Sequence, residues 1–372
     1  MDKIKVVNII TDTNIGGAGK VLQNYLAHFN QLSYDVWVVM PKGSMLADML
    51  EGYGATIIES EKLNGKSMDL GSILPIRSLL KELKPDIVHT HASLSSRISA
   101  RLYGKCSIIY TRHCAYPPSA FMRSNVGKLL GRLVARMFSD GIIAISEAVK
   151  ENLTDTGVPK EIITVMMNGV EPLKKLDEEQ KRKIRSSYNI EENEKTVGIV
   201  GRLEPVKGHE YFLRAAKICL DKGMNIKFLI AGSGGSETEI KKMASDLGIT
   251  ENVIFTGFLK DVAPAVNILD IFINASYGTE ASSLAMLEAM SIGIPVIATD
   301  FGGNPYQVEN GITGIIVPVK DPKAIAEAVT EILTNSEKYK NLVQNTLLAY
   351  TQKYTAAIMS ATLEKIYSKL LS

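Results

Sequence analysis

Short runs rich in Val and Ile alternate with helical stretches along almost the whole chain. This alternation restricts the fold more than any other feature. Parallel strands need a crossover long enough to hold a helix, so such a pattern gives a parallel sheet covered on both faces. The predicted strands of the first half are Lys5–Ile10, Asp35–Met40, Ala55–Glu59, Asp86–His91, Ser107–Thr111, Gly141–Ile145 and Ile163–Met167. Those of the second half are Thr196–Val200, Ile226–Ala231, Val253–Phe255, Ile271–Asn274, Pro295–Ala298 and Gly314–Val317. Between the two sets lies EPLKKLDEEQKRKIRSSYNIEENEK, Glu171 to Lys195, with few large apolar residues, which reads as a linker. The fold class that follows is α/β, with two doubly wound, Rossmann-like domains spanning 1–172 and 173–352. The final segment, 353–372, is an amphipathic helix by its spacing. A length of 372 residues suits two domains.

Composition narrows the partners. The net charge is +2, so nothing calls for nucleic acid or an acidic partner. The three cysteines, Cys106, Cys114 and Cys219, are widely spaced and form neither a disulfide framework nor a metal pattern. The N-terminal apolar run is too short for a signal-peptide core or a membrane span. A cytoplasmic protein is the expectation.

Open α/β sheets bind ligands at the carboxyl ends of their strands, so the loops after the strands are where chemistry belongs. The most informative is TEASSLAMLEAMSIGIPVIATDFGG, Thr279 to Gly303. It follows the strand IFINAS, and a helix is expected to open near Ala281 or Ser282. Glu280 lies just before that helix and Glu288 within it. Eight residues of helix rise about 12 Å, which suits two ends of an extended ligand and not a paired acid and base. Between them lie the backbone N–H groups of Ser282, Ser283 and Leu284, and a helix N-terminus of this kind cradles phosphate. The arrangement of carboxylate, anion cradle and carboxylate matches the hydroxyl, diphosphate, hydroxyl order of a nucleotide-sugar. The plain alternative for Glu280 is a favourable charge at a helix start. Glu288, inside the apolar run LAMLEAM, is costly unless partnered.

A second loop, GIVGRLEPVKGHE, carries Arg202 and Lys207 between a strand and a helix. Two cations there can neutralise a diphosphate leaving group; ordinary turn charges are the alternative. A third, TDTNIGGAGKVLQNY, offers Gly16, Gly17 and Gly19 for a tight turn and close backbone approach to a ligand. It is not a Walker A loop, because Asn14 and Val21 replace the required Gly and Ser or Thr. His89, His91 and His113 all lie near strand ends. His89 reads as a hydrogen-bonded structural residue, and both structural and functional readings stand open for His91. A metal site is disfavoured, since no acidic or cysteine ligand is near in sequence. Finally, SAFMRSNVGKLLGRLVARMFS, residues 119–139, places Lys128, Arg132 and Arg136 beside a Leu/Val/Met face. Such a helix can lie on an anionic membrane. A solvated helix whose apolar face covers the sheet is the favoured reading.

The spacing Glu280-x7-Glu288 followed by AMSIGIPVIATDFGG resembles the retaining glycosyltransferases of the GT-B class, specifically family 4. The resemblance runs nearly end to end, through IGGAGKVL, AISEAVKENL, MNGVE at 167–171 and VGRLEPVKG. It implies that Glu280 contacts hydroxyls of the transferred sugar, that Glu288 holds the ribose, and that Arg202 and Lys207 bind the diphosphate. Gly16 and Gly17 would close on the phosphates, His113 would lie near the reacting sugar and acceptor, and Gly257 and Phe258 would hold the base through backbone. The C-terminal helix would cross back to the first domain. The implied chemistry is front-face displacement with retention. The departing phosphate takes the acceptor proton, with no essential metal or cofactor. The donor would be a nucleotide-sugar, commonly UDP-linked, and the acceptor a glycan, a lipid-linked intermediate or a small molecule. Two departures stand out: Ala281-Ser282-Ser283 replaces a common Gly-Phe-Gly, and Tyr306 stands where many members carry Glu. A sugar-nucleotide epimerase on the same fold would need acid–base residues near C2 of the sugar, and none is identified. A non-catalytic sensor could dispense with the cations Arg202 and Lys207.

Overall fold

A computed structural model describes residues 3–372. The chain divides into two compact units. One holds the residues up to Val170 together with Ala356–Ser372, and the other holds Glu171–Thr355. The changes of unit thus fall two residues before 172 and three after 352 on the sequence-based boundaries.

The first unit carries seven strands: β1 Ile4–Ile10, β2 Tyr34–Pro41, β3 Thr56–Ser60, β4 Ile87–His91, β5 Ser107–Arg112, β6 Gly141–Ala144 and β7 Ile163–Val165. They pair in the order β3-β2-β1-β4-β5-β6-β7, all parallel. The second carries six: β8 Lys195–Val200, β9 Ile226–Ala231, β10 Val253–Gly257, β11 Ile271–Asn274, β12 Val296–Thr299 and β13 Gly314–Val317. Their order is β10-β9-β8-β11-β12-β13, again all parallel. The α/β expectation is met in both halves.

Continuous apolar runs explain the central positions. Val6–Ile10 and Ile271–Asn274 are buried along their length, as strands covered on both faces require. The edge strands β3 and β10 are only part-buried. In each sheet the chain winds outward on one side, then returns to the middle and winds outward on the other. The reversal points lie between β1 and β4 and between β8 and β11, which is where ligand crevices form in such sheets.

The core of the second unit is built from Val197, Ile199, Phe228, Ile230, Ile271 and Ile273 under Phe212 and Val329. Phe212 meets Phe228 edge-on at 5.8 Å. In the first unit Val7, Ile9, Val39, Val88 and Ile108 play that part. The helix Ala356–Leu371 packs on the helix Gly17–Leu26 of this unit. Its Tyr367 is fully buried, with an edge-on contact to Tyr25, and its hydroxyl pairs with His89 Nδ1 at 2.7 Å.

One expectation is corrected. The stretch from Glu171 to Lys195 is not a free linker but part of the second unit. It contains the helix Glu178–Ser187, closed by a capping box in which Asp177 and Gln180 satisfy each other's backbone. Arg185 donates to Thr196 Oγ1 and to the carbonyls of Glu191 and Glu194. Leu173 N–H and Leu176 N–H donate to Ser291 Oγ and Asn267 Oδ1. The segment is held by hydrogen bonds more than by an apolar stripe, so hydrophobic spacing could not reveal it.

Candidate active site

The loops after β8 and β11 flank the reversal point of the second sheet, and they bring two of the singled-out residues into contact. Lys207 Nζ lies 2.7 Å from Glu280 Oε2. The same oxygen accepts from Ser276 Oγ at 3.0 Å and from Asn274 Nδ2 at 3.5 Å. Glu280 is 5% exposed, while the Lys207 side chain keeps 23% of its surface open. A buried carboxylate must be paired and hydrogen-bonded to remain charged, and here all its named donors converge on one oxygen.

The backbone around Glu280 is unusual. Thr279, just before it, has φ 59°, a conformation that costs a β-branched residue of the order of 1–3 kcal/mol. Gly303 N–H donates to the Glu280 carbonyl at 3.0 Å, so the loop after β12 clamps the glutamate from behind. Asn304, fully buried, donates through Nδ2 to Thr299 and fixes that loop in turn. A cavity of about 20 Å³, room for one water, is lined by Gly201, Lys207, His209, Asn274, Glu280 and Ser283 among others. A larger cavity of about 830 Å³, lined by Arg185, Asp270 and Tyr339, sits where β8 and β11 begin. That is the wrong end of the strands for a ligand crevice.

The helix after Glu280 opens later than its sequence suggests. It spans Leu284–Ser291 with Ser283 as N-cap, the Ser283 hydroxyl accepting from Met286 N–H. The N–H of Ser283 is not free for a ligand, because it donates to Gln307 Oε1 at 2.9 Å. Gln307 also donates to Ser282 Oγ. The expected cradle of Ser282, Ser283 and Leu284 is therefore corrected. Of the helix-start donors, those of Leu284 and Ala285 have no acceptor among the described residues. Glu288 lies within this helix and is part-buried. The span from Glu280 to Glu288 is half loop and half helix, so the distance of an unbroken helix does not apply to it.

Arg202 is exposed and pairs with Glu204 at 2.7 Å. Gly257 ends β10 with φ 68°, followed by an exposed Phe258 ring.

In the first unit, the glycine turn does not use glycine's freedom. Gly16 has φ −120°, and Gly17 opens the helix Gly17–Leu26 with no positive φ. An added Cβ at Gly17 would meet nothing within 4 Å. Gly19 differs, since a Cβ there would strike the Leu46 side chain at 2.4 Å.

The histidines form one stacked group beside β1 and β4. His89 pairs with Tyr367 and with Thr111 Oγ1 at 2.6 Å, as a structural histidine should. His91 Nε2 faces Asn8 Oδ1 at 3.3 Å, and His91 Nδ1 faces His113 Nε2 at 2.9 Å. An amide oxygen only accepts, so His91 carries its proton on Nε2 and its Nδ1 accepts from His113 Nε2–H. His91 is thus buried and hydrogen-bonded on both ring nitrogens, to Asn8 and to His113. Burial lowers the pKa of His113 to about 4, so it is neutral at pH 7. Among the described residues no group of three His, Cys, Asp or Glu is arranged to hold a metal ion.

Sequence reasoning missed Asn274, Ser276, Gln307 and His209. Asn274 ends the buried strand β11 and Ser276 lies two residues beyond it, a position signal that could have found them. His209 is 2% exposed and both its ring nitrogens lack a partner among the described residues. Burial and then Lys207 lower its pKa to about 4.

The chain is similar to known proteins along its length. Residues 15–173 match the family model Glycosyltransferase Family 4, and residues 180–348 match Glycosyl transferases group 1. The chain is similar to an Escherichia coli UDP-Gal:alpha-D-GlcNAc-diphosphoundecaprenol alpha-1,3-galactosyltransferase, at 26% identity over 89% of this chain and 88% of that one. It is also similar to the Staphylococcus aureus capsular polysaccharide biosynthesis glycosyltransferase CapM, at 26% identity over 100% and 98%. Among solved structures, Anabaena Alr3699/HepE in complex with UDP superposes with a TM-score of 0.85 at 19% identity, covering 98% of this chain and 100% of that one. With one model on each half and relatives matching along the full length, the chain belongs to the family 4, group 1 glycosyltransferases and is an enzyme of the GT-B fold.

Proposed function

We propose that this glycosyltransferase moves a hexosyl or N-acetylhexosaminyl group, with retention, from a nucleotide-sugar to a glycan or lipid-linked acceptor. One observation carries the donor side: the buried Glu280 ion-paired with Lys207 at the reversal point of the second sheet. A buried ion pair is poor value for stability alone, and this one faces the crevice end of the strands. Lys207, partly open, would turn to the diphosphate on donor binding, with Arg202 joining from Glu204. Glu280, released from the cation, would accept from sugar hydroxyls. Leu284 and Ala285 N–H would meet phosphate oxygens, Glu288 the ribose, and the backbone at Gly257 and Phe258 the base. UDP is favoured because one relative's name specifies UDP-Gal and a structural neighbour holds UDP.

In the displacement, the acceptor oxygen bonds to the anomeric carbon on the face the leaving group occupies. The bond from that carbon to the phosphate oxygen breaks, and the acceptor proton passes to the departing phosphate. Lys207 and Arg202 stabilise the charge that develops there. His113, its Nε2 proton committed to His91, offers Nδ1 to a sugar hydroxyl. No metal is needed in this scheme. A lipid-linked acceptor, as in the diphosphoundecaprenol relative, would place the work at the cytoplasmic face of a membrane.

Isothermal titration against a panel of UDP-, GDP- and ADP-sugars checks the donor. Micromolar binding of a UDP-sugar is expected, with turnover that survives EDTA. No binding across the panel overturns the reading, and abolition by EDTA overturns its metal-free part. A second expectation concerns Gly17→Ala. The folded chain should gain about 0.4–1 kcal/mol, since an unstrained alanine restricts the unfolded chain and meets no neighbour. The donor KM should nonetheless rise about tenfold if backbone approaches phosphate at this turn. A KM unchanged in a stabilised variant removes Gly17 from the donor site.

A further inference from the structure

The helix Asn125–Phe138 is turned opposite to the favoured sequence reading. Its small residues, not its leucines, face the protein. A Cβ on Gly131 would lie 2.0 Å from the Thr156 carbonyl oxygen, and one on Gly157 would lie 2.1 Å from the Lys128 oxygen. Ala135 is buried on the same side. Gly131 and Ala135 let the helix backbone press onto the unit, Gly127 admits the preceding turn at the Phe121 carbonyl, and Arg101 holds the helix end by donating to the Met137 carbonyl.

The outward face is apolar and exposed. Phe121, Val126, Leu129, Leu130, Leu133 and Met137 keep between 47% and 61% of their surface open to water. Positions 126, 129, 130, 133 and 137 fall on one helical stripe. Contiguous exposed apolar surface of this kind marks an interaction site. Lys128, Arg132 and Arg136 run along one flank at intervals of four, all exposed, and among the described residues Arg136 alone of the three is ion-paired, to Glu161. Residues 119–139 contain no Asp or Glu.

We propose that this face docks on an anionic lipid bilayer, with the leucines in the headgroup–acyl boundary and the cations on lipid phosphates. The charge pattern selects the occupant. An anionic surface meets a flank whose three cations outnumber Glu161, the carboxylate paired with them, whereas a second copy would bring only more cations from this segment. The helix of 14 residues is about 21 Å long, too short to span a bilayer of about 30 Å, so it lies in the interface plane. No helix among the described residues is long and apolar enough to cross a membrane. The proposal deepens the lipid-linked reading of the acceptor and depends on it only for the purpose that docking would serve.

Co-sedimentation of the whole chain with sucrose-loaded vesicles tests it. One set is phosphatidylcholine alone and the other contains about one-third phosphatidylglycerol. The wild type should pellet with the anionic set and be released in part by high salt. Leu129→Ser/Leu133→Ser should weaken binding at least about tenfold. Lys128→Gln/Arg132→Gln should weaken it about fivefold per charge. Both variants change exposed side chains, so their melting midpoints and UDP affinity should match the wild type. Wild-type protein left in the supernatant with anionic vesicles overturns the proposal, as do variants that bind like the wild type. Equal binding to both vesicle sets overturns the assignment of the cations. A concentration-dependent dimer lost in the leucine variant, without vesicle binding, gives the face to a second copy instead. Vesicle binding by a chain that fails to bind any nucleotide-sugar would leave the docking face standing and sink the donor reading.

Discussion

Lys207→Ala is expected to cost the second unit about 3 kcal/mol of stability and to lower transfer by about 10²–10³ or more. The first figure comes from breaking a buried pair by removing one partner, which leaves an uncompensated charge. The low end of that range applies because Lys207 is partly open and Ser276 still donates to Glu280. The second figure is what the loss of one charge-stabilising donor at a leaving group costs. The two effects are separable. Lys207→Met combined with Glu280→Gln removes both charges with little change of shape, so most of the lost stability should return while transfer stays down. Denaturant melts and initial rates on the two variants check this. Recovery of turnover in the double variant would mean that the pair serves the fold and not the reaction. An unchanged melt for Lys207→Ala would mean that Glu280 does not depend on this cation.

That pair also marks how far the sequence could be read. Strand positions were legible because a strand buried on both faces must be apolar along its length, as β1 and β11 are. The importance of Glu280 was legible because it follows such a strand. Its pairing with Lys207 was not, since the two lie 73 positions apart and only the return of β11 beside β8 brings them together. The helix start was misplaced because two serines precede Leu284 and either can cap. What decides for Ser283 is Gln307, which engages both serines from the short helix Asn304–Gln307 after the next strand. The outward face of Asn125–Phe138 did have a signal, the Gly and Ala stripe at intervals of four opposite the leucines. Small residues at that spacing mean close backbone approach, and a leucine face is then left to something outside the unit.

The loop that clamps Glu280 provides the sharpest test of how tightly the site is set. Gly302 has φ 58°, and a Cβ there would lie 1.9 Å from the Glu280 carbonyl oxygen. Gly302→Ala therefore carries two costs. The left-handed backbone alone is worth about 1–2 kcal/mol for a residue with a Cβ. The overlap with backbone cannot be relieved by a rotamer, so the loop must move and Gly303 N–H must leave the Glu280 carbonyl. Gly235→Ala, where φ is not positive and no atom lies within 4 Å, is the matched control and should leave stability within about 0.5 kcal/mol. A carboxylate displaced by about 1 Å costs a reaction of this kind about a hundredfold. Gly302→Ala should thus lose about a hundredfold in kcat even in cold buffer where it is fully folded, with UDP affinity falling far less because the phosphate donors sit on other residues. If kcat falls only in proportion to the unfolded fraction, the clamp stabilises the loop without positioning Glu280. If UDP affinity falls as far as kcat, Glu280 and the phosphate donors move as one body, and the separate roles given to them fail.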